Sequence, residues 1–158
     1  MNVNERYFIG TTRFNNDTYQ ENLQWRKKHK HNGCIYPLNK KISDVTPPDT
    51  LIYVLEMNNT ENKIMGIGLI RNRYDMRQRI RVYHSDLNYN RFVYHSNKRI
   101  DRKDIKYKKM LKVLELVVFK GSRHMKRWAK NYLRFMESLS HKRSTRKIIN
   151  KFFRKLSF

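Results

Sequence analysis

The sequence predicts an α+β fold: a small, mostly antiparallel, curled sheet or barrel, with outer helices and a basic helical C-terminal extension. Three observations carry this. LIYVLEM (51–57) and KIMGIGLI (63–70) are β-prone runs joined by the Asn-rich turn 58–62, a hairpin signal. From Asp104 the apolar spacing changes to threes and fours, the stripe of an amphipathic helix. The chain of 158 residues is 39% hydrophobic and 13% aromatic, which suffices for one cored domain and excludes a disordered basic tail.

In chain order, RYFIGTT (6–12) reads as a strand stopped by Gly10. Asn16 or Asp17 caps a helix with Glu21 in its first turn and Tyr19, Leu23 and Arg26 along one face. That helix carries Trp25 and runs into Arg26-Lys27-Lys28-His29-Lys30, closed by Asn32-Gly33. Cys34-Ile35-Tyr36 is a brief apolar segment, and Pro37 to Asp49 is a loop ending in the Pro47-Pro48 turn. In the second hairpin strand Gly66 and Gly68 face one side, leaving room for a helix, another backbone or a flat ligand. RIRVY (79–83) and RFVY (91–94) read as two further strands. The helix over 104–120 carries Tyr107, Met110, Leu111, Leu114, Val117 and Val118 on its stripe and stops at Gly121. Weaker helical patterns follow at Trp128 to Leu139 and at Ile148 to Leu156. The expected organisation is a domain over 1–120 and a basic helical extension over 121–158.

Charge sets the expected partner. Lys and Arg total 36 against 13 Asp and Glu, a formal net charge of +23. Residues 1–100 hold 17 basic and 9 acidic side chains, and residues 101–158 hold 19 and 4. Folding gains nothing from such self-repulsion, whereas a polyanion gives affinity through released counterions. A nucleic acid is therefore the expected partner, with other proteins of a large assembly as a second kind. No apolar run approaches the roughly 20 residues of a membrane span, and MNVNERYFIG lacks the pattern of a signal peptide. Cys34 is the single cysteine, so the expected setting is a reducing, intracellular compartment.

Catalytic signals are sparse. The six histidines lack the spacing with cysteines or carboxylates that a zinc site needs, so no metal and no cofactor are expected. Gly66-Ile67-Gly68 is a fragment of a Gly-rich fingerprint without its strand-to-helix context. Glu56 and Asp75 facing one cleft is a weaker alternative to two hairpin surface charges. Cys34 has cationic neighbours able to lower its pKa, but reads better as a small, half-buried residue.

The binding pattern is richer. Basic and aromatic residues alternate in Arg71-Asn72-Arg73-Tyr74, in Arg77 to Tyr83 and in Asn88 to Tyr94. On a strand, Arg77, Arg79 and Arg81 share one face and Ile80 and Val82 the other. Arg71, Arg73, Arg77, Arg79, Arg81 and Arg91 are thus candidate phosphate contacts, with Tyr74 and Tyr83 as stacking rings. Lys126, Arg127, Arg143, Arg146 and Lys147 add sequence-independent grip.

Tyr7-Phe8-Ile9, Trp25, Asp49-Thr50-Leu51-Ile52-Tyr53 and Ile64-Met65-Gly66-Ile67-Gly68-Leu69-Ile70 stand in an order that resembles the PUA-like superfamily, especially its EVE and YTH branch. The likeness covers about residues 5–95. It implies a PUA-like fold and a base, modified in that branch, read in an aromatic pocket to which only Trp25 maps. LEMNN and NKIMGIGLIRN also resemble uncharacterised proteins of large DNA viruses, in keeping with the Asn, Lys and Ile bias of an AT-rich genome. The expected function is non-catalytic nucleic-acid binding, RNA favoured over DNA, in host cytoplasm, nucleus or virion if viral. A structural role in a virion or ribonucleoprotein is the alternative, ahead of a nucleic-acid-modifying enzyme.

Overall fold

The structure, a computed structural model, describes residues 7–76, 79–119 and 143–158. Among the described residues, six strands and three α-helices follow in the order β1 (Tyr7–Phe14), α1 (Asn16–Lys28), β2 (Cys34–Leu38), β3 (Leu51–Asn58), β4 (Lys63–Arg71), β5 (Phe92–Ser96), β6 (Arg99–Asp101), α2 (Lys108–Phe119) and α3 (Arg143–Arg154). The α+β class is as the sequence predicts.

The predicted hairpin forms the centre of the sheet. β3 and β4 pair antiparallel, with a register irregularity between Leu55 and Met57, and the Asn58 side chain accepts from the Thr60 and Glu61 amides at 2.9 and 3.2 Å. β1 joins β3 in parallel and β6 joins β4 antiparallel, giving the order β1-β3-β4-β6. The sheet is therefore mixed and open, not closed into a barrel. β6 is only three residues long, and β2 pairs antiparallel with β5 as a separate ribbon instead of bridging the sheet's two edges.

All eight residues of β3 are buried, so each face of the sheet covers a core. Tyr53, Leu55 and Met57 pack with Leu111, Leu114 and Val118 of α2 and Ile149, Phe152 and Phe153 of α3. Ile52 and Val54 pack the other way, with Cys34, Tyr36, Tyr83, Tyr94 and Tyr19 of α1. The period of two in the strand decides which side chain enters which core.

Local differences from the sequence expectation have identifiable causes. The cap of α1 is Asn15, because Thr18 three residues on returns the bond: Asn15 Oδ1 accepts from the Thr18 amide at 2.8 Å and Thr18 Oγ1 from the Asn15 amide at 3.0 Å. The α1 face that turns inward is Tyr19, Asn22 and Arg26, since Asn22 donates to the Ile35 carbonyl at 2.8 Å and accepts from Arg26 Nε at 3.1 Å. The 104–120 helix starts at Lys108, after a 3-10 turn at Arg102–Asp104.

α3 was expected to lie across a partner as part of the extension. Its apolar edge instead enters the core: Ile149 and Phe153 are fully buried, and Tyr7 donates to Asn150 Oδ1 at 2.7 Å. Of the expected apolar positions only Ile148 stays exposed. The helical pattern at Trp128 to Leu139 lies outside the described residues.

Candidate nucleic-acid interface

Two surface clefts gather most of the described basic and aromatic candidates. The first lies between α1 and the segment 79–84. Trp25, Lys28 and His29 come from the last turns of α1 and its cap, Arg79, Arg81 and His84 from the segment, around a volume of about 570 Å³. The indole of Trp25 is half-buried; it stacks on His29 with centroids 4.2 Å apart and meets His31 edge-on at 6.0 Å. His29 holds its place by a 2.8 Å bond between Nδ1 and the Trp25 carbonyl.

Residues 79–83 do not form the strand that alternation predicts, yet the alternation holds from Arg79 to Val82 and breaks at the buried Tyr83. Arg79 and Arg81 are exposed, Ile80 is half-buried and Val82 is buried. Side chains stand in for a neighbouring strand. Asn90 Oδ1 accepts from the Val82 and Tyr83 amides at 2.8 and 3.0 Å, and its Nδ2 donates to the Tyr83 carbonyl at 2.7 Å. Glu21 accepts from the His84 and Ser85 amides at 2.9 and 3.1 Å and from the Ser85 hydroxyl at 2.8 Å. Glu21 thus ties the arginine-bearing segment to the helix that carries Trp25.

Burial works to raise the Glu21 pKa, but these hydrogen bonds outweigh it and hold the carboxyl below its usual value. A depressed folded value stabilises the tie above the unfolded pKa, and the tie is lost as pH falls through the lowered one. The His84 and Ser85 amide shifts are therefore expected to titrate together in acid, below the ordinary glutamate range. Glu21→Gln is expected to abolish that titration; its persistence in the variant would assign it to another group.

The second cleft, of about 1,270 Å³, lies between the end of β4 and the turn from β5 to β6. Arg71, Arg73, Tyr74, Met76, His95 and Lys98 are among its walls. Arg71 donates to the Asp49 carbonyl at 2.8 Å, and Arg73 pairs with the Asp49 carboxylate at 2.7 Å. His95 stands 3.5 Å from Asp75. Tyr74 is half-buried, its ring set edge-on against Phe92 at 5.2 Å and Tyr94 at 5.9 Å.

The other candidates fall elsewhere. Tyr83 is 6% exposed and packs in the core, so it offers no face for a base; the same burial raises its phenol pKa. Arg91 and Lys147 are exposed but line neither cleft. Arg77, Lys126 and Arg127 lie outside the described residues, as do the side chains of Arg143 and Arg146 on α3. Lys28, His29, His84, His95 and Lys98 went unselected, since only the third dimension brings α1 and the β5–β6 turn beside the arginines.

Glu56 and Asp75 do not share a cleft. Glu56 is buried and takes three hydrogen bonds from Arg99, Nη2 to Oε2 at 2.7 Å and Nε to Oε1 at 2.9 Å and to Oε2 at 3.1 Å, and one from the Tyr36 hydroxyl at 2.8 Å. Burial works against the Arg99 charge, but the Glu56 carboxylate outweighs it and the guanidinium pKa is raised. Gly66 and Gly68 make room for this network and not for a ligand. A side chain at Gly66 would meet Arg99 and Glu56, and one at Gly68 the Tyr36 hydroxyl and Cys34 sulfur. Cys34 is fully buried, and burial pushes its thiol pKa up, the reverse of activation.

Among the described residues, no group of three or more His, Cys, Asp or Glu is placed to hold a metal ion, and no helix is long and apolar enough to cross a membrane. No protein-family model, curated protein or solved structure matches the chain.

Proposed function

We propose that the protein binds single-stranded nucleic acid without catalysis, RNA in preference to DNA, on an open variant of a PUA-like domain. The observation that carries this is the cleft where Trp25 faces Arg79 and Arg81. Its volume of about 570 Å³ falls in the range of about 300–1,000 Å³ typical of a pocket for one small ligand, which suits a nucleotide. The walls offer an indole for stacking and guanidinium groups for phosphate. Its described lining holds no other Trp, Tyr or Phe; His29 stacks on the indole, and the other flat groups of the lining are the His84 imidazole and the arginine planes. The overall charge of +23 supplies the long-range attraction.

Binding of short oligouridylates, followed by fluorescence anisotropy, tests the reading. Log affinity is expected to fall with log salt by about 0.7 per neutralised phosphate. Trp25→Ala is expected to weaken binding by about 1–3 kcal/mol per stacked base, while melting within a few degrees of the parent because the ring is only half-buried. A flat salt response, or unchanged affinity in folded Trp25→Ala, would withdraw the proposal.

A further inference from the structure

The larger cleft has room for more than one small ligand and lies close to the smaller one. Its volume of about 1,270 Å³ exceeds the range of about 300–1,000 Å³ typical of single-ligand pockets. Arg71 and Arg73 to Met76 line it, and Arg79 to Val82 with His84 line the Trp25 cleft. Ring contacts set their walls near each other: Trp25 meets His31 at 6.0 Å, and His31 meets His95 at 6.3 Å. From this proximity we infer that one single strand occupies both clefts at once, with a nucleotide beside Trp25 and its neighbours in the larger cleft. The inference rests on the reading of the Trp25 cleft as a nucleic-acid site.

The chemistry of the larger cleft fits the continuing strand. Arg71, Arg73 and Lys98 give it a basic wall against one acidic lining residue, Asp75, which stands beside His95. Lys98 is exposed on a turn whose backbone is fixed: the Leu69 amide donates to its carbonyl at 3.0 Å, and its amide donates to Ser96 Oγ at 3.1 Å. The Arg71 guanidinium is held by the Asp49 carbonyl and that of Arg73 by the Asp49 carboxylate, so two guanidinium groups stand at set positions along the wall. Such an array suits the spaced phosphates of one flexible strand. A duplex, stiff over about 150 base pairs, does not bend into two concavities this close together without strand opening.

The test uses the full chain and oligouridylates of two, four, eight and twelve nucleotides, with oligothymidylates and a hairpin duplex alongside. Affinity is expected to rise with length until both clefts are filled. The salt slope should steepen by about 0.7 for each phosphate gained. Lys98→Gln is expected to weaken the 8-mer and reduce its salt slope by about 0.7, the share of one phosphate contact, while leaving the dinucleotide unchanged. The RNA and DNA arms decide which sugar the strand carries. Equal losses at both lengths, or one salt slope for all lengths, would overturn the two-cleft inference while leaving the Trp25 site standing. So would an acidic peptide that displaces the 8-mer but not the dinucleotide, since it would assign the larger cleft to a protein. Failure of every oligonucleotide to bind would instead remove the Trp25 reading itself.

Discussion

Phe153→Ala is expected to lower stability by about 3–5 kcal/mol, a large share of the roughly 5–15 kcal/mol that holds a typical domain folded. The ring is fully buried, with Tyr53 at 4.9 Å, Phe152 at 5.1 Å and Tyr7 at 6.1 Å between centroids. Its removal leaves a cavity between α3 and the sheet that aromatic neighbours on rigid strands do not fill. Deleting 143–158 takes away Ile149, Phe152 and Phe153 together and is expected to abolish the cooperative unfolding transition. Lys147→Ala, at an exposed position on the same helix, is expected to stay within about 0.5 kcal/mol of the parent. Urea unfolding followed by circular dichroism measures all three. An unchanged midpoint for Phe153→Ala would show that α3 is dispensable to the core and serves only as a basic arm.

That helix also marks how far the sequence could be read. Ile149, Phe152 and Phe153 announce an apolar edge by their spacing, but spacing does not say what the edge covers. The dense charge around it points to an external partner; in the fold the apolar edge enters the core, and Lys147, Lys151 and Arg154 stand exposed on the helix's other face. The β3–β4 hairpin was legible because two β-prone runs with an Asn-rich turn leave few other arrangements. The strand β1 was legible at 6–12, but its parallel pairing with β3 was not, since nothing local in a strand names a neighbour so far away in the chain. The Trp25 cleft falls between these cases. Alternation correctly set Arg79 and Arg81 outward, but the groups that hold the segment, Asn90 and Glu21, act through single side chains. Such bonds leave no periodic trace, so the segment reads as a strand. Gly66 and Gly68 were legible as space, and only the fold shows that Arg99, Glu56, Tyr36 and Cys34 fill it.

Glu56→Ala is expected to destabilise by about 3–5 kcal/mol, because it strands the Arg99 charge inside the protein. The side chains of Arg99 and Glu56 are 6% and 3% exposed, so water cannot take over for the lost carboxylate. Asp101, 3.2 Å from Arg99 Nη1, remains as a second partner, which places the loss toward the lower end of that range. Tyr36 also loses the acceptor of its hydroxyl, and its burial leaves that donor no exposed alternative. Replacing both charges, as Glu56→Leu with Arg99→Met, removes the uncompensated ion and is expected to cost clearly less than the two single changes together. The cycle separates two roles for the pair. Strong coupling, with the double variant recovering much of the loss, means that each charge is tolerated inside because the other is there. Additive losses would mean that each side chain contributes through its own packing and hydrogen bonds, Arg99 with Asp101 and Glu56 with Tyr36. The geometry favours coupling, since three of the bonds in this network run between the two residues themselves.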